Sequence, residues 1–300
     1  MHPTHKMTPT SLHVNPEARA QTAPRARRRL FPLAALVLLV PLAAPQIRAQ
    51  QSAESKNLIQ QTVQTELASD RSDHTAFQYY DHDVTPDHDT LFYTVETPQG
   101  VLKRKIDDHG KPLNAEERRG DDLRLHALAA DRNAQIKLQK DSQHDDSQAE
   151  QMLELLPNAF LWSFAEERGD LVELNFKPDP AYVPDTMESR VFAAMAGQVV
   201  VNRREKRIYT IRGTLIQDVK FGFGIFGRLK QGGTFEVERR EVVPGHWQMT
   251  ESHVHLVGKA LFFKTIGSQE DETRFDFQIA EAKTMQQAYD ALMAHGVAVP

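Results

Sequence analysis

The run RIYTIRGTLIQDVKF, residues 207–221, alternates apolar and polar side chains over a length that suits an extended chain. Tyr209, Ile211, Leu215, Val219 and Phe221 fall on one side, and Thr210, Arg212, Thr214, Asp218 and Lys220 on the other, because successive side chains of a strand point to opposite faces. One side is built to meet a core and the other to meet water. The same alternation recurs at 171–176 (Val172, Leu174, Phe176 against Glu173, Asn175), at 234–240 (Phe235, Val237 against Glu236, Glu238) and at 274–279 (Phe275, Phe277, Ile279 against Arg274, Asp276, Gln278). Turn chemistry separates the runs: Arg168-Gly169-Asp170, Gly232-Gly233, Pro244-Gly245 and Gly267-Ser268. Such a pattern predicts an antiparallel sheet with one wet and one apolar face. Strands of up to 15 residues exceed the usual five or six, so the sheet is expected to be long, strongly twisted and curved.

Working outward, residues 53–68 place Leu58, Ile59, Val63 and Leu67 at near-helical spacing, which predicts an amphipathic helix. Aromatic and β-branched runs at 77–80, 91–95 and 101–106 read as strands, the last two paired through Pro98-Gln99-Gly100. Asn114 followed by Glu117 is the signature of a capping box opening a helix through Leu123, Leu125 and Leu128. Residues 141–149 are polar enough for a loop or a solvated helix start, and Met152, Leu153, Leu155 and Leu156 close the segment before Pro157. Residues 114–156 thus form a helical, charged insertion, too poor in apolar residues for a core of its own. Residues 284–293 return to helix through Met285, Ala288, Tyr289 and Leu292.

Three hundred residues with 40% apolar and 26% charged side chains describe an ordinary globular chain. With no cysteine, a disulfide framework, a thiolate metal site and a cysteine nucleophile are excluded. Arg25, Arg27, Arg28 and Arg29 precede an uncharged run from Leu30 to Ile47, and Arg48-Ala49 stand before Gln50. Basic, apolar and small-residue regions in that order read as an export signal over residues 1–49; the alternative is an uncleaved N-terminal anchor, and Met7 is an alternative start. Pro32, Pro41 and Pro45 argue against a membrane-spanning helix there. Residues 50–300 are then a single curved-sheet domain located in the periplasm. Setting aside residues 1–49, with seven basic side chains and one acidic, leaves 29 basic against 40 acidic and a net charge of −11. That field repels phosphate, so no nucleic-acid partner is expected.

Motifs with chemical content are few. Gly222-Phe223-Gly224-Ile225-Phe226-Gly227 matches the dinucleotide fingerprint in letters, but Arg228-Leu229-Lys230 leads to Gly232-Gly233 and another strand, where the fingerprint needs a helix. The glycines are expected to serve as a bend or bulge. Asp81-His82-Asp83 and Asp87-His88-Asp89 repeat a triplet that could hold a divalent cation or simply form a wet hairpin tip. Glu251, His253 and His255 alternate onto one face of a strand and raise the same two alternatives. No serine-hydrolase or zinc-protease motif occurs. No cofactor and no catalytic residue is expected.

The segments Met195-Ala196-Gly197-Gln198-Val199-Val200-Val201-Asn202, Arg207-Ile208-Tyr209-Thr210-Ile211-Arg212-Gly213, Phe235-Glu236-Val237-Glu238 and Pro244-Gly245-His246-Trp247 carry a strand, basic-turn, strand and hairpin rhythm. In this, and in its opening amphipathic helix, the chain resembles the periplasmic lipoprotein-carrier and outer-membrane lipoprotein-sorting superfamily. The resemblance implies an α+β fold, an unclosed half-barrel with helices packed on its concave side, and a lipid-accepting cavity. The expected function is a non-catalytic binding or chaperone-like protein for an acyl chain, lipoprotein or other hydrophobic ligand, with transient membrane contact. Tyr209, Ile211, Leu215, Phe221, Phe235, Val237 and Trp247 are the candidate wall, by strand parity, with Met249, Glu251 and His253 continuing the side of Trp247. The competing expectations are a concavity filled by the protein's own helices and an envelope hydrolase or metal-dependent enzyme using Asp and His groups such as His82, His88, His253 or His255.

Overall fold

Alternating strands pair into one antiparallel sheet of eleven that does not close into a barrel. The computed structural model describes residues 44–221, 227–260, 265–266 and 269–295. In spatial order the sheet runs β4 (Lys111–Pro112), β3 (Gly100–Asp108), β2 (Asp89–Thr97), β1 (Phe77–Val84), β15 (Gln269–Ile279), β12 (His246–His255), β11 (Thr234–Val243), β8 (Arg207–Leu215), β7 (Met195–Asn202), β6 (Leu171–Pro178) and β5 (Phe160–Arg168). Among the described residues five helices accompany it: α1 (Ala44–Ser72), α2 (Ala115–Ala130), α3 (Arg132–Ala159), α4 (Met187–Phe192) and α5 (Met285–Ala294). The expected hairpin turn stands, with Thr97 opposite Gly100, and so does the Asn114–Glu117 capping box. The expected export signal lies, up to residue 43, outside the described residues.

Two expectations about element length are corrected. Residues 141–149 are neither loop nor helix start, because α3 runs unbroken through them and past Pro157 to Ala159. The 15-residue strand breaks at Ile216-Gln217-Asp218. Leu215 N–H bonds to the Gly233 carbonyl and Ile216 N–H to that of Ala194, so the chain leaves the large sheet there. It re-enters strand as β9 (Val219–Phe221), which belongs to a second, four-stranded sheet with β10 (Gly227–Leu229), β13 (Gly258–Ala260) and β14 (Thr265–Ile266). Residues 222–226 of the glycine motif lie outside the described residues. The element that follows them is strand β10, antiparallel to β9, and no dinucleotide turn precedes a strand.

Three bulges overturn the simple parity. On β8, Val200 faces Thr210 and Val201 faces Ile208, so Tyr209 is the extra residue and Ile208 takes the buried side with Ile211. On β12, Glu238 faces Glu251 and Arg239 faces Met249, so Thr250 is extra. Trp247 and Met249 therefore share a side with Ser252 and Val254, not with Glu251 and His253. On β15 the extra residue is Asp276, at φ 58°. Phe275 consequently stacks on Tyr80 and Phe277 on Tyr79, on opposite faces of the sheet. A bulge inserts one residue into one strand and reverses the side-chain order beyond it.

The register also shows that the two hydrophobic cores lie on opposite faces. The row Asn175, Gln198, Arg212, Glu236, His253, Asp271, Val84 crosses seven strands on one face. Tyr80 belongs to that face by alternation along β1. There Tyr80, Tyr93, Val95, Leu102 and Ile106 pack under α2 and α5 with Leu125, Met285, Ala288 and Leu292. The other face, toward α1, carries Trp162, Leu174, Phe176, Val199, Ile208 and Leu215 against Leu58, Ile59, Val63 and Leu67. The expectation of helices packed on a single side is thereby corrected: each half of the sheet buries its more apolar face, and the two halves chose opposite ones.

Across the α1 face, Phe176, Gly197, Gly213 and Phe235 stand in one row. A Cβ on Gly213 would lie 2.5 Å from the Phe235 ring, and one on Gly197 would lie 2.0 Å from the backbone oxygen of Arg212. Gly213 leaves the space into which the Phe235 and Phe176 rings fold, and Gly197 lets the β8 backbone come close. Gly197→Ala is expected to destabilise the protein by about 1–3 kcal/mol, the usual cost of overpacking; a urea midpoint equal to wild type would contradict this.

Candidate functional site

Helix α1 brings one carboxylate into its apolar stripe. Glu66 is fully buried, and its Oε1 accepts the Ile208 N–H at 2.6 Å, beside the β8 bulge. Oε2 lies 3.1 Å from Arg207 Nη1 and 3.4 Å from Arg239 Nη2, and Arg239 also reaches Asp70 of α1 at 3.5 Å. Burial pushes the Glu66 carboxyl above its usual range, against the pull of Arg239 and Arg207. The cationic side chains are themselves stacked. Arg207 lies over Trp247 and Arg240 over Tyr209, each 5.5 Å from the ring centre, and Tyr209 meets Trp247 edge-on at 5.0 Å.

Of the seven candidate wall residues, the structure brings six to the same region of β8, β11 and β12, and separates one. Leu215 is fully buried in the α1 core, and Ile211 and Phe235 pack partly against it. Trp247 is 8% exposed, held by Tyr209 and Arg207. Val237 lies between Phe235 and Arg239 on the α1 face, half-buried. Tyr209, displaced by its bulge, is half-buried beside Trp247. Phe221 sits on β9 of the small sheet, away from the strand that was expected to hold it. Met249 and Val254 of β12, with Ile211, Phe235 and Val237, extend the apolar strip beyond the sealed core as half-buried residues. Among the described residues, the helices pack chiefly on β2, β3, β5 and β8, and α1 meets β11 through the ion pairs of Arg239 with Glu66 and Asp70.

Further along this face the strip turns ionic. Asp81 is fully buried against Lys103 at 2.5 Å, Arg274 pairs with Glu272 at 2.7 Å, and Tyr79 donates its hydroxyl to Glu96 at 3.1 Å. Sequence patterning missed Glu66 and this cluster, because a charged residue on an apolar stripe carries no sign of its partner. The single available hint was the position of Glu66 three residues after Val63.

The opposite face over β6, β7, β8, β11 and β12 is open and polar. A groove of about 690 Å³ is lined there by Asn175, Gln198, Arg212, Glu236, His253 and His255, among others. Gln198 bonds both Asn175 and Arg212. The Asp and His groups form carboxylate–imidazole couples: His82 with Asp89 at 2.7 Å, His88 with Asp83 at 3.1 Å, His253 with Asp271 at 2.7 Å and His255 with Asp271 at 2.9 Å. Among the described residues no group of three or more such side chains is arranged to hold a metal ion. Each imidazole already has a carboxylate partner.

No protein-family model, no curated protein and no solved structure matches the chain. Among the described residues no helix is long and apolar enough to cross a membrane.

Glu66→Ala would leave the Arg207 guanidinium and the Ile208 N–H buried without their acceptor, and Arg239 with Asp70 alone. The expected loss is about 3–5 kcal/mol of stability, with a smaller loss for Glu66→Gln, which retains an acceptor; equal urea midpoints for both variants and wild type would contradict the assignment.

Proposed function

We propose that the protein is an exported, non-catalytic binding or chaperone-like protein of the periplasm that holds an acyl chain, lipoprotein or other hydrophobic ligand on the α1 face of its sheet. In this reading it works in the manner of the lipoprotein carriers that its sequence resembles and makes transient membrane contact. The observation that carries it is the half-buried strip Ile211, Phe235, Val237, Met249 and Val254, which continues the α1 core past the strands on which the helices chiefly pack. Apolar side chains left partly in water gain about 25 cal/mol per Å² when a ligand covers them.

The same reading makes the open sheet strongly curved, an unclosed half-barrel with α1 on its concave side. A comparison of lengths supports this. Leu138 of α3 lies at Gly100 on β3, and Leu156 of α3 is in the core with Phe160 and Trp162 of β5. Eighteen residues of α-helix cover about 27 Å, whereas the nine interstrand steps from β3 to β5 measure about 43 Å along the sheet. A chord shorter than its arc favours a bent sheet. The wall assigned to the ligand is Ile211, Phe235 and Val237, with Leu215 and Trp247 as its sealed floor and Tyr209 at its margin beside Trp247.

The test is titration with a dansyl-labelled long-chain fatty acid. Val237→Asp, which sets a charge in the strip, is expected to weaken binding by about tenfold or more while leaving the urea midpoint near wild type. Trp247→Ala is expected to cost about 3–5 kcal/mol of stability, as for a sealed core aromatic. Saturable binding that Val237→Asp leaves unchanged, or no binding by the wild type, would overturn the proposal.

A further inference from the structure

The eleven strands fall into two groups, β4-β3-β2-β1-β15 and β12-β11-β8-β7-β6-β5, and the first holds the α5 core while the second holds the α1 core. Among the described residues the sheet is continuous across this boundary through one ladder, the five rungs from Glu251–Thr273 to His255–Gln269. Side chains reinforce that ladder on the polar face. His253 Nδ1 stands 2.7 Å from Asp271 Oδ1, and His255 Nε2 stands 2.9 Å and 3.0 Å from the two oxygens of the same carboxylate. Both contacts cross from β12 to β15. The second nitrogen of His253 faces Glu251 Oε2, on its own strand, at 3.4 Å.

We propose that His253, His255 and Asp271 form a proton-operated clasp across the seam between the two halves of the sheet, closed while His253 is protonated and loosened when it is not. The logic is one of donors and acceptors. The imidazolium has two N–H donors, one for Asp271 and one for Glu251. The neutral ring has one, so its bare nitrogen must then face a carboxylate oxygen, acceptor against acceptor, and one of the two contacts is given up.

The surroundings favour the proton. On the same face Glu236 of β11 stands opposite His253, and Glu238 of β11, paired with Arg240, stands opposite Glu251. On the other side Asp271 and Thr273 belong to β15, and His82 of β1 is occupied by Asp89 of β2. Arg212 of β8, the cation across Glu236, is bound by Gln198. Hydrogen bonding to Asp271 first, and then Glu251, raises the His253 pKa above the ordinary imidazole range. Asp271 is held below the usual carboxylate range, burial notwithstanding, by the hydrogen bonds from His253 and His255. A raised imidazole contributes stability at low pH and loses it as pH rises through its folded-state value, and a lowered carboxylate contributes above its unfolded-state value and loses it as pH falls. The clasp is therefore tightest in mildly acidic solution, between the two.

Amide hydrogen exchange of the full chain tests this, with protection factors corrected for intrinsic exchange. Between pH 6 and pH 8.5, protection at Ser252, Val254, Glu270 and Glu272 is expected to fall as His253 loses its proton. Val95 and Leu102, in the β2–β3 ladder, serve as controls and should stay level. His253→Gln should abolish the pH dependence at the seam, and His255→Gln should reduce it. Seam amides that track the controls, or a His253→Gln protein that keeps the wild-type profile, would overturn the proposal. Should His253→Gln fail to fold, a His253 imidazole titrating at or below the ordinary value in the wild-type NMR spectrum would overturn it equally.

Discussion

A buried carboxylate on α1 determines where everything else on that face can sit. Glu66 enters the apolar stripe between Val63 and Leu67, reaches the Ile208 N–H beside a bulge, and gathers Arg207 and Arg239 around it. A charge taken out of water is tolerated only with partners in good geometry. The helix therefore has one register on the sheet, and the bulge at Tyr209 is the counterpart of that register. Trp247 and Tyr209 are drawn in as well, because the arginines that neutralise or flank the site lie over their rings.

From that anchor the fold divides its labour. The half of the sheet near β5 to β8 buries its α1 side, and the half near β1 to β3 buries the other, so the middle strands pass between two cores without belonging wholly to either. Strands β11 and β12 lie in this passage. They are half-buried on both faces, apolar toward α1 and charged on the other side, and they carry both the proposed ligand strip and the seam to β15. Binding on one face and proton exchange on the other would act on the same few rungs.

How much of this could be read from residues alone depended on whether periodicity survived. The strands at Val172–Phe176 and Phe235–Glu238 were legible because no bulge interrupts their alternation there. The capping box at Asn114 and the hairpin at Pro98-Gln99 were legible because turn chemistry is local. The bulges at Tyr209, Thr250 and Asp276 were not, since an extra residue has no compositional mark, and each one moved predicted face-mates apart: Tyr209 from Ile211, Met249 from Glu251, Phe275 from Phe277. The pairing of Glu66 with arginines some 140 and more residues away was equally invisible, being a property of the assembled sheet. Six of the candidate wall residues share β8, β11 and β12, whereas Phe221 lies on β9 of the small sheet, and parity does not carry past the bulges.

The central claim is the proposal that the strip Ile211, Phe235, Val237, Met249 and Val254 meets a hydrophobic ligand. Mass spectrometry of lipids extracted from protein exported to the periplasm of a bacterial host and purified without detergent tests it most directly. The account predicts acyl-bearing species in amounts approaching one per protein, and far less from the Val237→Asp variant. Protein that arrives in the periplasm folded and free of any such species would contradict it.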